Sequence, residues 1–338
     1  MSLSNFTPVL PVGSLILVTG VNGFIGSHVA NEALKLEYRV RGVVRDASKI
    51  NSLKTRWDEQ FPGQFEVATI PDLQAIGAFD EAMKGVSGVA HIAAVSGDMT
   101  TDLAAATETV KNIQFRAFEA AAKTSSVKRF VLTATLGTIL ADITGEPRTF
   151  TQDSWNEDSK ELAKNEGPLQ AMQTYYASKT EGEKAAWAWV KEKKPSFEFY
   201  TVLPSCSLGK ILDASQHGST AGMLTQFYNG VPIPIWTAAP AFNYVAVTDI
   251  ALLHLGALLV PSSTVSPQRL FGAAGSMNGN DVLAIFRQLA PEKEFPQDFP
   301  GMVPDGGVYD RKGAEAILHA FGKEGWKSLE EAVKETVA

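Results

Sequence analysis

Residues 15–28 read LILVTGVNGFIGSH. An apolar run ends at Thr19, and glycines follow at positions 20, 23 and 26. A buried strand that turns straight into a helix needs special backbone at each of these places. Gly20 can take the positive φ of the turn, Gly23 lets the backbone approach a ligand, and Gly26 lets the helix pack close to the strand. A helix that starts there presents unpaired N–H groups and a partial positive charge, which suit a pyrophosphate. The turn could be a bare connection between strand and helix. Its place in the first βα unit favours a dinucleotide cradle. The expected contacts are Gly20, Asn22, Gly23, Phe24, Ile25 and Gly26.

The rest of the chain repeats that alternation. RVRGVV (39–44), FEVATI (65–70), GVAHIAA (88–94), RFVLTAT (129–135) and EFYTVLP (198–204) read as strands. Helical patterns lie at 24–36, 73–84, 101–123 and 173–193, and two amphipathic helices close the chain within 305–338. Continuous apolar strands between helices predict an α/β fold with a doubly wound parallel sheet covered on both faces. Ligands then sit at the C-terminal ends of the strands. With 338 residues there is room for one large domain and a smaller lobe. The texture changes near Pro204: residues 214–248 contain no Asp, Glu, Lys or Arg but carry Phe227, Tyr228, Trp236, Phe242 and Tyr244. The expected division is 1–204 for the cofactor-binding domain and 205–338 mainly for a substrate-binding lobe packed tightly on it.

Charge and composition exclude other classes. A net charge of −7 and 45% hydrophobic residues argue against a nucleic-acid binder and against disorder. The single cysteine, Cys206, allows no internal disulfide, so a reducing, cytoplasmic setting is expected. Neither a signal peptide nor a membrane-spanning run is read, and the histidines show no metal-ligand spacing, so no metal site is expected.

The second strand selects the dinucleotide. It ends at Arg45, with Lys49 four residues on, and two cations suit a 2′-phosphate. NADPH is therefore expected over NADH, although Asp46 adjoins Arg45. Further on, TYYASK (174–179) places Tyr175 and Lys179 four apart, on one face of a helix. A phenol of pKa ~10 is a poor acid at neutral pH, and a nearby ammonium is expected to lower it. Thr133 and Thr135 reach the end of a strand on the same side. Thr135 is the expected hydroxyl to polarise a carbonyl oxygen, with Thr138 as the alternative.

Together these segments resemble the extended short-chain dehydrogenase/reductase family. Within it the likeness is to the dihydroflavonol-reductase-like branch and its fungal and yeast NADPH-dependent aldehyde and carbonyl (ketone) reductases. The matching pieces include LVTGVNGFIGSHV, SVKRFVLTAT, YYASKTEGEKAAW and YVAVTDIALLHL. The resemblance implies a Rossmann-type domain with a smaller C-terminal lobe, and hydride transfer from NADPH to an aldehyde or ketone. It implies catalytic roles for Tyr175 and Lys179, with Lys179 also holding the nicotinamide ribose, and a 2′-phosphate contact at Arg45. Asp72 and Leu73 would lie beside the adenine. Ala93, Ala94 and Val95 would lie under the nicotinamide side, with Pro204, Ser205 and Ser207 along its carboxamide. The family has Thr-Ser-Ser where this chain has Thr133-Ala134-Thr135; the hydroxyl is kept, but the added methyl stiffens χ1.

Candidate pocket walls are 96–100, 136–140, 169–174 and 216–244, with Ser96, Leu136, Met172, Phe227 and Phe242 as named contacts. An uncharged lobe suits a medium-sized, largely apolar carbonyl compound. Two other readings stay open: a sugar-nucleotide epimerase or dehydratase of the same family, and a non-catalytic NADP sensor. The expected assembly is a monomer or homodimer.

Overall fold

Leu15–Thr19 form β1, a strand with every residue buried. In this computed structural model, which describes residue 3 and residues 5–93, 100–140, 145–167, 169–237 and 239–338, β1 belongs to a seven-stranded sheet. In chain order it is followed by α1 (Phe24–Lys35), β2 (Arg39–Val44), α2 (Asn51–Gln60), β3 (Phe65–Thr69), β4 (Val86–His91), α3 (Leu103–Lys123) and β5 (Arg129–Thr133). Then come β6 (Arg148–Phe150), the short α4 (Ser159–Leu162), the long α5 (Gln170–Lys193) and β7 (Glu198–Pro204). The remaining chain supplies β8 (Cys206–Leu208), α6 (Thr220–Tyr228), α7 (Pro234–Thr237), β9 (Phe242–Ala246), α8 (Val247–Leu259) and β10 (Arg269–Gly272). It ends with β11 (Gly275–Met277), α9 (Gly279–Leu289), β12 (Gly307–Tyr309), α10 (Lys312–Ala320) and α11 (Leu329–Val337).

The sheet order is β3-β2-β1-β4-β5-β7-β10, and every pairing in it is parallel. The direction of winding reverses between β1 and β4, which makes the ends of these two strands the switch point where such sheets bind ligands. Each face has its own core. On one, α1 packs against α8, with Val29, Leu34, Leu255 and Leu258 all buried. On the other, α3 packs against α5, and Phe118 meets Phe130, Phe199 and Trp189 with ring centroids 4.6–5.3 Å apart. Burying each such ring contributes about 1.5–3 kcal/mol, which fixes α5 against the sheet.

Three expectations are corrected. Residues 73–84 form turns, not a helix. Gly77 has φ +75°, which breaks a helix, yet Phe79, Ala82 and Met83 are still buried, so the apolar pattern is used without helical backbone. The strand read as 88–94 is Val86–His91 and ends earlier than expected, while Ala94 lies outside the described residues. The segment 205–338 divides between the two bodies. Its β10 adds the edge strand of the main sheet, and its α8 packs on α1. The lobe proper is the β11-β9-β8 sheet with α6, α9 and α11, packed around Trp236, Phe227, Leu283 and Phe286. No helix among the described residues is long and apolar enough to cross a membrane.

Candidate active site

The glycine turn has the geometry its spacing predicts. Gly20 sits at φ +65°. A Cβ on Gly26 would lie 2.2 Å from the Gly20 carbonyl oxygen, so no other residue fits there without moving the turn. Gly23 caps α1, and no side chain takes up the first-turn N–H groups. Gln216, which sequence reasoning passed over, holds this turn from behind. Its amide nitrogen donates to the carbonyls of Asn22 and Gly23 at 3.3 Å and to Ser27 Oγ at 2.9 Å. Ile25 is partly exposed, whereas Phe24 is buried against Ala221 and Val247 and ties the turn to the second half of the chain.

Thr19 ends β1 and joins the two strands of the switch point. Its hydroxyl accepts from the Ile92 and Ala93 amides, each at 2.9 Å, and meets His91 Nδ1 at 3.2 Å. Burial pushes the His91 imidazole down to about 3, so the ring is neutral and Nδ1 accepts the threonine proton. Ala93 is thereby fixed beside Gly20. Ala94, Val95 and Ser96 lie outside the described residues.

Past the end of β2, Arg45 and Lys49 are exposed after the buried strand end Val44. Asp46, beside them, uses one carboxylate oxygen in a local cap. Its carboxylate accepts from Ser48 N at 2.9 Å and Ser48 Oγ at 2.8 Å, capping the turn that follows, and these bonds hold its pKa below the usual value. Asp72 caps in the same way, accepting from Gln74 N at 2.9 Å, with Leu73 buried next to it.

Just past the end of β5, α5 brings Tyr175 and Lys179 up to Thr135. The Thr135 hydroxyl is near enough to the Tyr175 phenol to act against the rise in its pKa. Burial nevertheless dominates and pushes the Tyr175 phenol up, so the expected lowering by the ammonium is not what governs it here. Lys179 is only 8% exposed and donates from Nζ to the Thr133 carbonyl at 2.9 Å. Burial brings its pKa down to about 8, with Glu183 acting in opposition. The Thr133 hydroxyl faces away, 2.7 Å from His254 Nε2. The Ile250 carbonyl accepts from His254 Nδ1 at 2.8 Å, and with the ring kept neutral at about 4, Nε2 is left to accept from Thr133. His254 is thus a satisfied core histidine that orients Thr133. That leaves Thr135, just past the strand, as the hydroxyl next to the tyrosine.

Pro204 ends β7, Ser205 follows it, and Ser207 lies in β8. The Ser205 hydroxyl is shielded and has no hydrogen-bond partner among the described residues. Such an orphan is costly unless a ligand completes it. Together with the uncapped α1 start and the close approach at Gly26, it fits a dinucleotide lying along the strand ends. Cys206 is pushed up to about 12 by burial and is no thiolate nucleophile. Among the pocket candidates, Met172 and Phe242 are partly exposed. Phe227 is 4% exposed, with its ring 5.8 Å from Phe286 and 6.4 Å from Phe299. Leu136 is buried with Ile139, Leu140 and Phe150. Both residues pack within hydrophobic clusters of the fold.

This arrangement, from glycine turn to buried Tyr–Lys helix, has relatives. Residues 16–270 match the NAD dependent epimerase/dehydratase family. The chain belongs to that family. Aldehyde reductase 2 of Sporidiobolus salmonicolor is 42% identical to it over 334 residues, 97% of this chain and 96% of the relative. Ketoreductase adrE of Penicillium roqueforti is 37% identical over 98% of this chain and 97% of its own. The crystal structure of yeast methylglyoxal/isovaleraldehyde reductase Gre2 complexed with NADPH matches with a TM-score of 0.79 at 24% identity, over 95% of this chain and 96% of that one. At that identity the likeness speaks for the fold.

Proposed function

We propose that this epimerase/dehydratase-family protein is an NADPH-dependent reductase of aldehydes and ketones. The observation that carries the reading is the convergence of the Thr135 and Tyr175 hydroxyls just past β5, beside a buried Lys179 held on the Thr133 carbonyl. Two neutral hydroxyls held together in this way make a site for one carbonyl oxygen, and the lysine supplies positive charge nearby. The cofactor, when bound, supplies the hydride. Tyr175 keeps its proton at neutral pH and gives it to the carbonyl oxygen as the alcohol forms. Thr135 holds that oxygen and orients the substrate. Lys179, freed from the Thr133 carbonyl, would hold the nicotinamide ribose and stabilise the phenolate left on Tyr175.

Arg45 and Lys49 would hold a 2′-phosphate, the uncapped α1 start the pyrophosphate, and Ser205 the carboxamide. The names of the two curated reductase relatives support carbonyl compounds as substrates. So does the lobe, where residues 214–248 contain no Lys or Arg to hold a sugar-nucleotide diphosphate. The test is nicotinamide absorbance over time, with NADPH and then NADH, against aryl ketones, β-keto esters and aldehydes. NADPH consumption with at least one class supports the reading; tight NADPH binding with no turnover on any of them sinks it.

A further inference from the structure

The reading above gives roles to Thr135, Tyr175 and Lys179, but leaves aside a buried ion pair directly behind them. Glu183 lies one helical turn beyond Lys179 on α5, on the same face. It is 1% exposed, and Arg269 on β10 is 4% exposed. Arg269 grips the carboxylate with two nitrogens, Nε to Oε1 at 2.9 Å and Nη2 to Oε2 at 3.1 Å. Thr201 on β7 donates to Oε1 at 2.7 Å, and Thr138 donates to Oε2 at 2.7 Å. Both carboxylate oxygens are therefore fully committed. The guanidinium also stacks over Trp155 at 3.8 Å and donates to the Gln152 carbonyl at 3.1 Å.

Thr138 is the member of this set that matters for the site. It belongs to the short 3-10 turn Leu136–Thr138, which Thr135 itself begins. Its hydroxyl has one proton and two nearby acceptors, Glu183 and the Thr135 carbonyl at 2.9 Å. The charged carboxylate is closer and is the stronger acceptor. The same hydroxyl oxygen lies 3.1 Å from Arg269 Nη2, which donates to it. Thr138 is fully buried and faces α5, so it does not serve as an alternative to Thr135. By contrast, the local bond of Thr135, from the Gly137 amide, is long at 3.3 Å. Within the turn the Thr138 amide also donates to the Thr135 carbonyl at 3.0 Å, so Thr138 joins Thr135 to the buried carboxylate.

We propose that Thr138 and Glu183, clamped by Arg269, are positioning residues that lock the turn carrying Thr135 to the helix carrying Tyr175 and Lys179. The lock fixes the spacing between the two hydroxyls that meet at the carbonyl oxygen, and it deepens the carbonyl-reductase reading, on which it rests. Glu183 serves the same helix a second way, since its charge opposes the burial that strips the proton from Lys179. A plain structural ion pair would contribute to folding and leave the turnover of the folded enzyme alone. Positional errors of about 1 Å at a reacting group can cost on the order of a hundredfold in rate.

The test compares Thr138→Val and Thr138→Ser in the full-length protein. Valine keeps the volume and deletes the donor; serine keeps the donor. The lock predicts kcat lowered at least tenfold in T138V with the NADPH dissociation constant unchanged, and near wild-type kcat in T138S. Amide hydrogen exchange over residues 134–140 is predicted to rise in T138V only. Thr138→Ala, which puts no methyl against the carboxylate, carries the same prediction should T138V fail to fold. Unchanged kcat and exchange in a folded T138V overturn the proposal. So does loss of folding in both T138V and T138A, which would assign Thr138 to stability alone. A wild type without carbonyl turnover would fail the functional reading instead, and the exchange comparison would then decide the lock by itself.

Discussion

The ends of β2 and β5 are built on opposite principles. At the chemical end, Lys179, Glu183 and Arg269 are buried, and each has a defined partner. Past the end of β2, Arg45 and Lys49 stand in solvent beyond a buried strand, and the adjoining Asp46 uses one carboxylate oxygen in a local cap. Buried charges in low dielectric act strongly but tolerate little displacement, whereas exposed ones select a ligand by charge and are screened by salt. One end is thus suited to aligning atoms and the other to choosing between cofactors. Mutations at the two ends should therefore fail differently: kcat at the first, cofactor KM at the second.

Arg45→Ala tests the β2 end and has the larger expected effect. It should raise the KM for NADPH about tenfold, leave the KM for NADH near its wild-type value, and leave kcat unchanged. Added salt should weaken NADPH binding in the wild type more than in the variant. Equal losses for both cofactors would mean that Arg45 supports the fold and not the 2′-phosphate, and the contrast between the ends would collapse.

A pH profile sharpens the chemical end, with a smaller effect. Lys179 is held to about 8, so it carries its charge below that pH and loses it above. The Tyr175 phenol is raised above its ordinary value and keeps its proton through the same range. Carbonyl reduction needs a protonated tyrosine and a charged lysine. The kcat/KM for reduction should therefore fall as pH rises through about 8, and the fall belongs to Lys179. A decline that begins only above pH ~10 would assign the limb to the tyrosine and remove the lysine's charge from the mechanism.

What could be read in advance follows the same division. The glycine turn and the Tyr–Lys pair are local patterns, in which spacing sets geometry, whereas β5 ends at Thr133 and Thr135 begins the following turn, so strand alternation did not place it. Glu183 and Arg269 are 86 residues apart, and the Gln216 brace on Gly23 spans 193; no local period joins such pairs. The edge strand Arg269–Gly272 is too short for alternation to mark it. Helix Val247–Leu259 is buried at every position but Thr248, so it has no polar face to give it a helical period. Both were therefore read into the lobe, although they belong with the main sheet. In 73–84 the opposite error occurred: the apolar period was present, but Gly77 with its positive φ prevented the helix. Phe227 and Leu136 have side chains as suitable for a pocket as for a core, and both pack within hydrophobic clusters.

The most direct measurement is NADPH consumption with a reactive ketone or aldehyde by the wild type and by Tyr175→Phe, with NADPH affinity determined on the same samples. Phenylalanine keeps the ring and removes the one proton the mechanism spends. The account predicts a loss in kcat of roughly 10²–10⁴-fold, typical for removal of a general acid, with NADPH affinity unchanged. Turnover in the variant equal to that of the wild type would contradict it, because carbonyl reduction would then be taking its proton from elsewhere.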